Sequence, residues 1–319
     1  MEPGEDIFEA YPDWKPEPHA RFDDPTLRSI QWSEPLADDQ VRFINQIVAL
    51  RPELAVRIYP RRDDYDWSQL ALLPDVRRFA IQGYHLSSFD CLHLLNPAIS
   101  QLTLAATRSK RPSLDILDHF RSLKRLTIDG HVKGIKAIAR HTNLESLYLR
   151  SVTLEDLSLL SPLTQLRWLW LGLGGTKDLR PIATWTALEY LELWMIRGFD
   201  SLAPIASCPS LREVHLQSLP RVADINPLAR VPHLHTVTIE HMKGLANLTP
   251  LRQVATLRHL RVIDCCHLKP DAFACLTDHP SLASASVGLG SDRKNRAVLD
   301  LLDLPPVDAT DSLRQLHKQ

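Results

Sequence analysis

Residues 165–173 read QLRWLWLGL, in which Leu166, Leu169 and Leu171 keep the spacing L-x-x-L-x-L while Trp168 and Trp170 stand between them. The spacing returns from Leu123 (LKRLTI), Leu144 (LESLYL), Leu188 (LEYLEL), Leu211 (LREVHL), Leu234 (LHTVTI) and Leu257 (LRHLRV). Looser copies start at Val76 (VRRFAI), Ile99 (ISQLTL) and Leu282 (LASASV), and a degenerate first one at Glu53, with Val56 and Ile58 in the apolar columns. Successive starts lie 21 to 25 residues apart. A second motif follows in mid-chain: DLRPIA (178–183), SLAPIA (201–206), DINPLA (224–229) and NLTPL (247–251).

Alternating apolar positions suit a short strand with one side on a core. The Asp, Ser or Asn that opens each second motif can cap a short helical turn, and proline near its start has no amide hydrogen to leave unpaired. Each unit is therefore strand, turn and brief helical return. One unit cannot bury its own apolar face, whereas stacked neighbours share a continuous core. Parallel strands about 4.8 Å apart would give eleven copies a sheet roughly 50 Å long.

The pattern resembles the leucine-rich-repeat superfamily, in its short form of about 22 residues found in internalins and in a regulatory subunit of protein phosphatase 1. The resemblance spans about 53–290. It implies an α/β repeat fold: a curved right-handed solenoid of 10–11 copies with a parallel sheet on its concave face, a 3-10 or irregular convex side, and helical caps. The Asn usual for the family after the strand is absent; Val152, Gly174, Ile196, Leu219 and Met242 fill that column, and only Cys265 is an accepted substitute. Apolar packing is expected to replace the asparagine ladder.

A solenoid exposes its core at both ends unless something covers it. Residues 33–52 read as the N-terminal cap, a helix over 36–50 carrying Val41, Ile44, Ile47 and Val48 on one face with Ser33 as N-cap. Residues 291–319 read as the C-terminal cap and tail, a helix opened by Asp292, carrying Val298, Leu301 and Leu302 and stopped by Pro305 and Pro306. Residues 1–32 are Pro-rich and acidic and read as an extended segment. Residues 1–50 hold eleven acidic and four basic side chains, against nine and fifteen in 51–140. The extension either lies along the first repeats through that charge complement or offers a short linear motif to a partner.

If the leucines point inward, the residues between them point outward and align in rows across the strands. The first row includes Arg78, Arg125, Ser146, Trp168, Tyr190, Glu213, Thr236, His259 and Ser284; the second Arg57, Tyr148, Trp170, Glu192, His215 and Arg261; the third Arg150, Gly172, Trp194 and Glu240. Tyr148, Trp168, Trp170, Tyr190 and Trp194 thus converge on three adjacent strands. Each large aromatic offers about 150–250 Å², so the cluster exceeds the apolar patch a monomer usually exposes. Trp and Tyr are also enriched at interface hot spots. The bland alternative is that the rings stack on one another and stabilise the sheet. Arginines gather at one end of the rows and glutamates at the other, an arrangement that would orient a complementary partner. Trp185 shares a column with Leu163, Cys208, Val231 and Val254 and reads as core.

Net charge is −1 over 319 residues, with 44% hydrophobic and 24% charged side chains, which gives no global field for nucleic acid or an anionic membrane. No apolar run approaches the roughly 18 residues of a membrane span, and the acidic N-terminus is not a signal peptide. The five irregularly spaced cysteines then read as reduced thiols in a cytoplasmic protein, expected to be monomeric alone. Glu192, Glu213 and His215 are the one acid–base grouping on adjacent strands, an arrangement common on mixed polar faces. Gly172, Gly174 and Gly175 follow a strand without the Lys-Ser/Thr of a phosphate loop, and no Cys/His spacing suits zinc. No cofactor, metal or catalysis is expected. The reading is a non-enzymatic module that binds a protein through Tyr148, Arg150, Trp168, Trp170, Tyr190, Glu192, Trp194, Glu213 and His215. It would serve as an inhibitor or immunity-type protein, alternatively as a scaffold or targeting subunit, or more weakly as a carbohydrate or small-ligand receptor.

Overall fold

The computed structural model describes residues 6–62, 64–176, 178–308 and 312–313, and the chain forms two compact units, 1–144 and 145–319. In the first unit β1 (Ile7–Glu9), β2 (Ser29–Trp32), β3 (Ala55–Ile58), β4 (Arg78–Ile81), β5 (Gln101–Leu104) and β6 (Arg125–Asp129) lie side by side in chain order. Each pairs in parallel with the next. In the second unit the same holds for β7 (Ser146–Arg150), β8 (Trp168–Gly172), β9 (Tyr190–Trp194), β10 (Glu213–Gln217), β11 (Thr236–Glu240), β12 (His259–Ile263) and β13 (Ser284–Gly288). Short 3-10 turns return the chain between repeat strands.

Registers follow the repeat spacing. Ser146 pairs with Trp168, Trp168 with Tyr190, Tyr190 with Glu213, Glu213 with Thr236, Thr236 with His259, and His259 with Ser284. Leu166, Leu169 and Leu171 are buried with their counterparts in the other repeats, except Glu53 in the first copy, which is exposed, and Val287 in the last, which is half-buried; Trp185 is buried with its indole N–H donating to Leu160 O at 3.2 Å. Each return is capped as its motif implies. Asp178, Asp224 and Asn247 accept from the N–H two residues on at 2.8 Å, and Ser201 does so at 3.3 Å. Pro181, Pro204, Pro227 and Pro250 occupy the first positions of those turns.

The chain leaves each of β7–β12 through a residue in the left-handed region: Ser151, Leu173, Met195, Ser218, His241 and Asp264 have φ between 49 and 56°. The next residue fills the column where asparagine is usual, and Val152, Ile196, Leu219, Met242 and Cys265 are all buried there. Apolar packing does replace the amide ladder, with sulfur as an occasional acceptor: Leu219 N–H donates to Met242 Sδ at 3.4 Å.

Both ends depart in detail from the sequence expectation. Residues 6–32 do not simply lie along the repeats. They add β1 and β2 to the sheet, with a short helix α1 (Ala20–Asp23) between them. Two devices hold them there. Phe8, Trp14 and Phe22 pack together and reach Phe43, and the Gln40 amide, 3% exposed, reaches the carbonyls of Tyr11, Pro12 and Trp14. The cap helix α2 (Asp38–Leu50) starts at Ala37 rather than Ser33, because Gln40 Oε1 accepts the Ala37 N–H at 2.7 Å. Its Val41, Ile44, Ile47 and Val48 face the core as expected. Helix α3 (Asp292–Leu302) has Ser291, not Asp292, at its N-cap; Val298 and Leu302 are buried, whereas Leu301 is exposed.

Candidate functional site

The second unit carries the aromatic cluster on the outward side of its sheet. Trp168 lies flat on Tyr190, with ring centroids 3.6 Å apart and planes 9° from parallel. Tyr148 stacks on Trp170 at 5.8 Å, and Trp170 meets Trp194 edge-on at 5.8 Å. Three strands thus carry one rank of rings, Tyr148 on β7, Trp170 on β8 and Trp194 on β9. Gly172 makes the rank possible: a Cβ there would lie 2.2 Å from the Trp170 ring, so the indole occupies the place of the missing side chain on its own strand.

The expectation of a broadly exposed patch is corrected. Trp168 is 6% exposed, Trp170 8% and Tyr190 0%, because flat stacking on neighbouring strands removes the ring faces from water. Tyr148 and Trp194 are half-buried and Arg150 is exposed.

The acidic side chains are buried as well. Glu192 is 1% exposed and accepts the Tyr190 hydroxyl at 2.6 Å. His215 lies between two carboxylates, Nδ1 3.6 Å from Glu192 Oε1 and Nε2 3.4 Å from Glu240 Oε2. Gln217 donates to the other oxygen of Glu240 at 2.7 Å. Glu213, 2% exposed, does not join a Glu–His pair through a hydrogen bond. Its Oε1 accepts the Ser312 hydroxyl and its Oε2 the Leu313 N–H, each at 2.6 Å. Desolvation pushes the Glu213 carboxyl above its ordinary range, partly offset by those donors and by Arg261 and His215.

Ser312 and Leu313 belong to a tail that the repeat pattern did not mark. Beyond α3, Pro305 O accepts the Ala285 N–H at 2.9 Å and Val307 N–H donates to Ser286 Oγ at 3.0 Å. Arg261 then donates to Asp308 O at 2.6 Å. Ser286, Arg261 and Glu213 are all outward-row residues, so Val307, Asp308, Ser312 and Leu313 lie on the outward side of the sheet. Aperiodic sequence gives this path no signature; the only hint is Pro305-Pro306, which ends α3 in extended backbone.

On the first unit, Arg57 donates to Gln82 and Gln31 and stacks over Tyr59, its Cζ 5.0 Å from the ring centroid. Arg78 donates to Gln101 at 2.8 Å, and burial with Arg125 and Arg28 nearby lowers its pKa. Among the described residues no three His, Cys, Asp or Glu are grouped to hold a metal, and no helix is long and apolar enough to cross a membrane. All five cysteines are free thiols, and burial pushes Cys91 and Cys208 up to about 12.

No family model and no curated protein matches the chain. Among solved structures it is similar to an internalin, InlF, from Listeria monocytogenes, at 18% identity over 89% of this chain and 81% of that one, with a TM-score of 0.53. It also matches an internalin C2 of Listeria monocytogenes (16% identity, 70% of this chain and 84% of that one, TM-score 0.36) and a leucine-rich-repeat protein of Leptospira interrogans (14%, 92% of each, 0.39). The repeat, the parallel strands with 3-10 returns and the first of these likenesses define the class: the fold is that of a leucine-rich-repeat protein.

Proposed function

We propose that the chain is a non-enzymatic module that binds a protein partner on the outward sheet face of 145–319. The observation that supports this is the rank Tyr148–Trp170–Trp194 with Arg150 at its edge: its outer rings are half-buried, keeping apolar surface available beside an exposed cation. Trp168, Tyr190, Glu192 and His215 are the buried floor that sets the position of that rank, and Glu213 holds the tail. Partner contact therefore falls on Tyr148, Arg150 and Trp194 more than on the fully stacked rings.

The test is affinity capture with the wild-type chain and with an Arg150→Glu/Trp194→Ala variant, the captured proteins being compared by mass spectrometry. A partner held by the wild type and lost from a variant that still melts within a few degrees of it is the expected result. A partner retained equally by both places binding elsewhere. If the captured partner is an enzyme, its activity in the complex separates an inhibitor from a scaffold.

A further inference from the structure

The tail contacts have the form of a bound peptide. Its main chain is engaged at both polarities, by Arg261 at the Asp308 carbonyl and by Glu213 at the Leu313 N–H. One side chain, the hydroxyl of Ser312, is read by the same buried carboxylate. Among the described residues, both hydrogen bonds that Glu213 accepts come from this segment, and a carboxylate 2% exposed is costly without donors. The tail thus supplies the donors for the same carboxylate that it helps to shield from water. The tail leaves α3 through Pro305 and Pro306, which favour extended backbone, and is tethered to that helix.

We propose that the outward face of β10–β13 is a receptor for a peptide segment carrying a hydroxyl residue followed by an apolar one, and that the chain's own tail, through Pro305, Val307, Asp308, Ser312 and Leu313, is its built-in, displaceable occupant. This deepens the reading above and rests on it in one respect: the partner reaches this face with a segment of that chemistry and competes with the tail. Selectivity follows from the neighbours. Glu213 accepts the hydroxyl, so a carboxylate in its place offers no donor and meets like charge when both are ionised, against which Arg261 and His215 give only part compensation. Ser or Thr satisfies Glu213, and the following residue must keep its N–H, which excludes proline.

The test uses the full chain and a fluorescently labelled synthetic peptide of residues 304–319, with binding read by anisotropy. In the wild-type chain the tethered tail competes. In Ser312→Glu the chain's own tail is repelled from Glu213, and in Ser312→Ala/Leu313→Pro both donors are removed. Both variants are expected to bind the wild-type peptide at least tenfold more tightly than the wild-type chain does. A peptide with glutamate at the serine position should bind at least tenfold more weakly to either variant. The two variants differ in charge and backbone, so a fold defect in one leaves the other as the test, and melting curves identify it. Equal affinity of variants and wild type, or indifference to the peptide serine, would overturn the proposal. So would a wild-type chain that sediments as a dimer and becomes monomeric in Ser312→Ala/Leu313→Pro, which would give the tail to a second copy. Peptide binding without effect of Arg150→Glu/Trp194→Ala on partner capture would fail only the partner-site reading. Partner capture lost in that variant with no peptide binding would fail only this inference.

Discussion

The indole of Trp168 lies flat on the phenol ring of Tyr190 at 3.6 Å between centroids, and the Tyr190 hydroxyl donates to the buried carboxylate of Glu192 at 2.6 Å. The stack and the hydrogen bond form one unit: the indole holds the ring whose hydroxyl bonds the buried carboxyl group. Truncating a buried large aromatic typically costs about 3–5 kcal/mol. Trp168→Ala should therefore lower unfolding free energy by about that amount. Tyr190→Phe, which keeps the ring but strips a donor from a buried carboxyl group, should cost about 1–3 kcal/mol. Denaturant titration checks both. A Trp168→Ala chain as stable as wild type would mean the stack contributes nothing to the fold.

Three glycines close to one another in sequence should respond very differently to a methyl group. At Gly172 the added Cβ would lie 2.2 Å from the Trp170 ring, and at Gly174 it would lie 1.9 Å from the Val152 carbonyl oxygen. At Gly175 the nearest atom is a Thr153 methyl at 3.3 Å, which can yield. Gly174→Ala meets backbone and should be the most damaging, on the order of 3 kcal/mol or more as for other severe overpacking. Gly172→Ala should displace the Trp170 indole and change tryptophan fluorescence along with stability. Gly175→Ala should stay within about 1 kcal/mol of wild type. Melting of the three variants decides, and a Gly175→Ala chain as damaged as Gly174→Ala would refute the steric account.

The fold was legible because its cause is periodic. The leucine columns, the Asp/Ser/Asn caps and the prolines repeat, so each copy supports the reading of the others, and strand register follows to the residue. The neighbours Trp168–Tyr190 and Tyr148–Trp170 were legible for the same reason. Exposure was not. Whether an outward Trp meets water depends on what lies flat against it, and stacking angle has no trace in spacing. The tail path was hidden altogether, because Ser312 lies 99 positions from Glu213 in a segment outside the repeats. The start of α2 was misplaced because a Gln40 side chain, not a hydroxyl N-cap, satisfies its first amide.

The buried Glu213 gives the stability of this face a pH dependence of definite sign. Desolvation raises its carboxyl above the ordinary 4.5, and the Ser312, Leu313, Arg261 and His215 groups facing it only partly restore the charged form. The folded chain thus holds this proton more tightly than the unfolded chain. Its contribution to stability is fully present below the ordinary carboxylate pKa and is lost as pH rises through the raised value. Buried histidines act oppositely: burial lowers His131, His141 and His279, so their contribution is present above the ordinary imidazole pKa and lost as pH falls. They are common to wild type and Glu213→Gln, and cancel in the difference between the two. That difference in melting temperature should shift in favour of Glu213→Gln as pH rises from about 4, then level off once the wild-type carboxyl is fully ionised. The slope is diagnostic, since Gln offers one acceptor for two donors and its constant offset is of either sign. A difference that stays flat from acid to neutral pH would show that Glu213 carries its charge in the folded chain as readily as in the unfolded one.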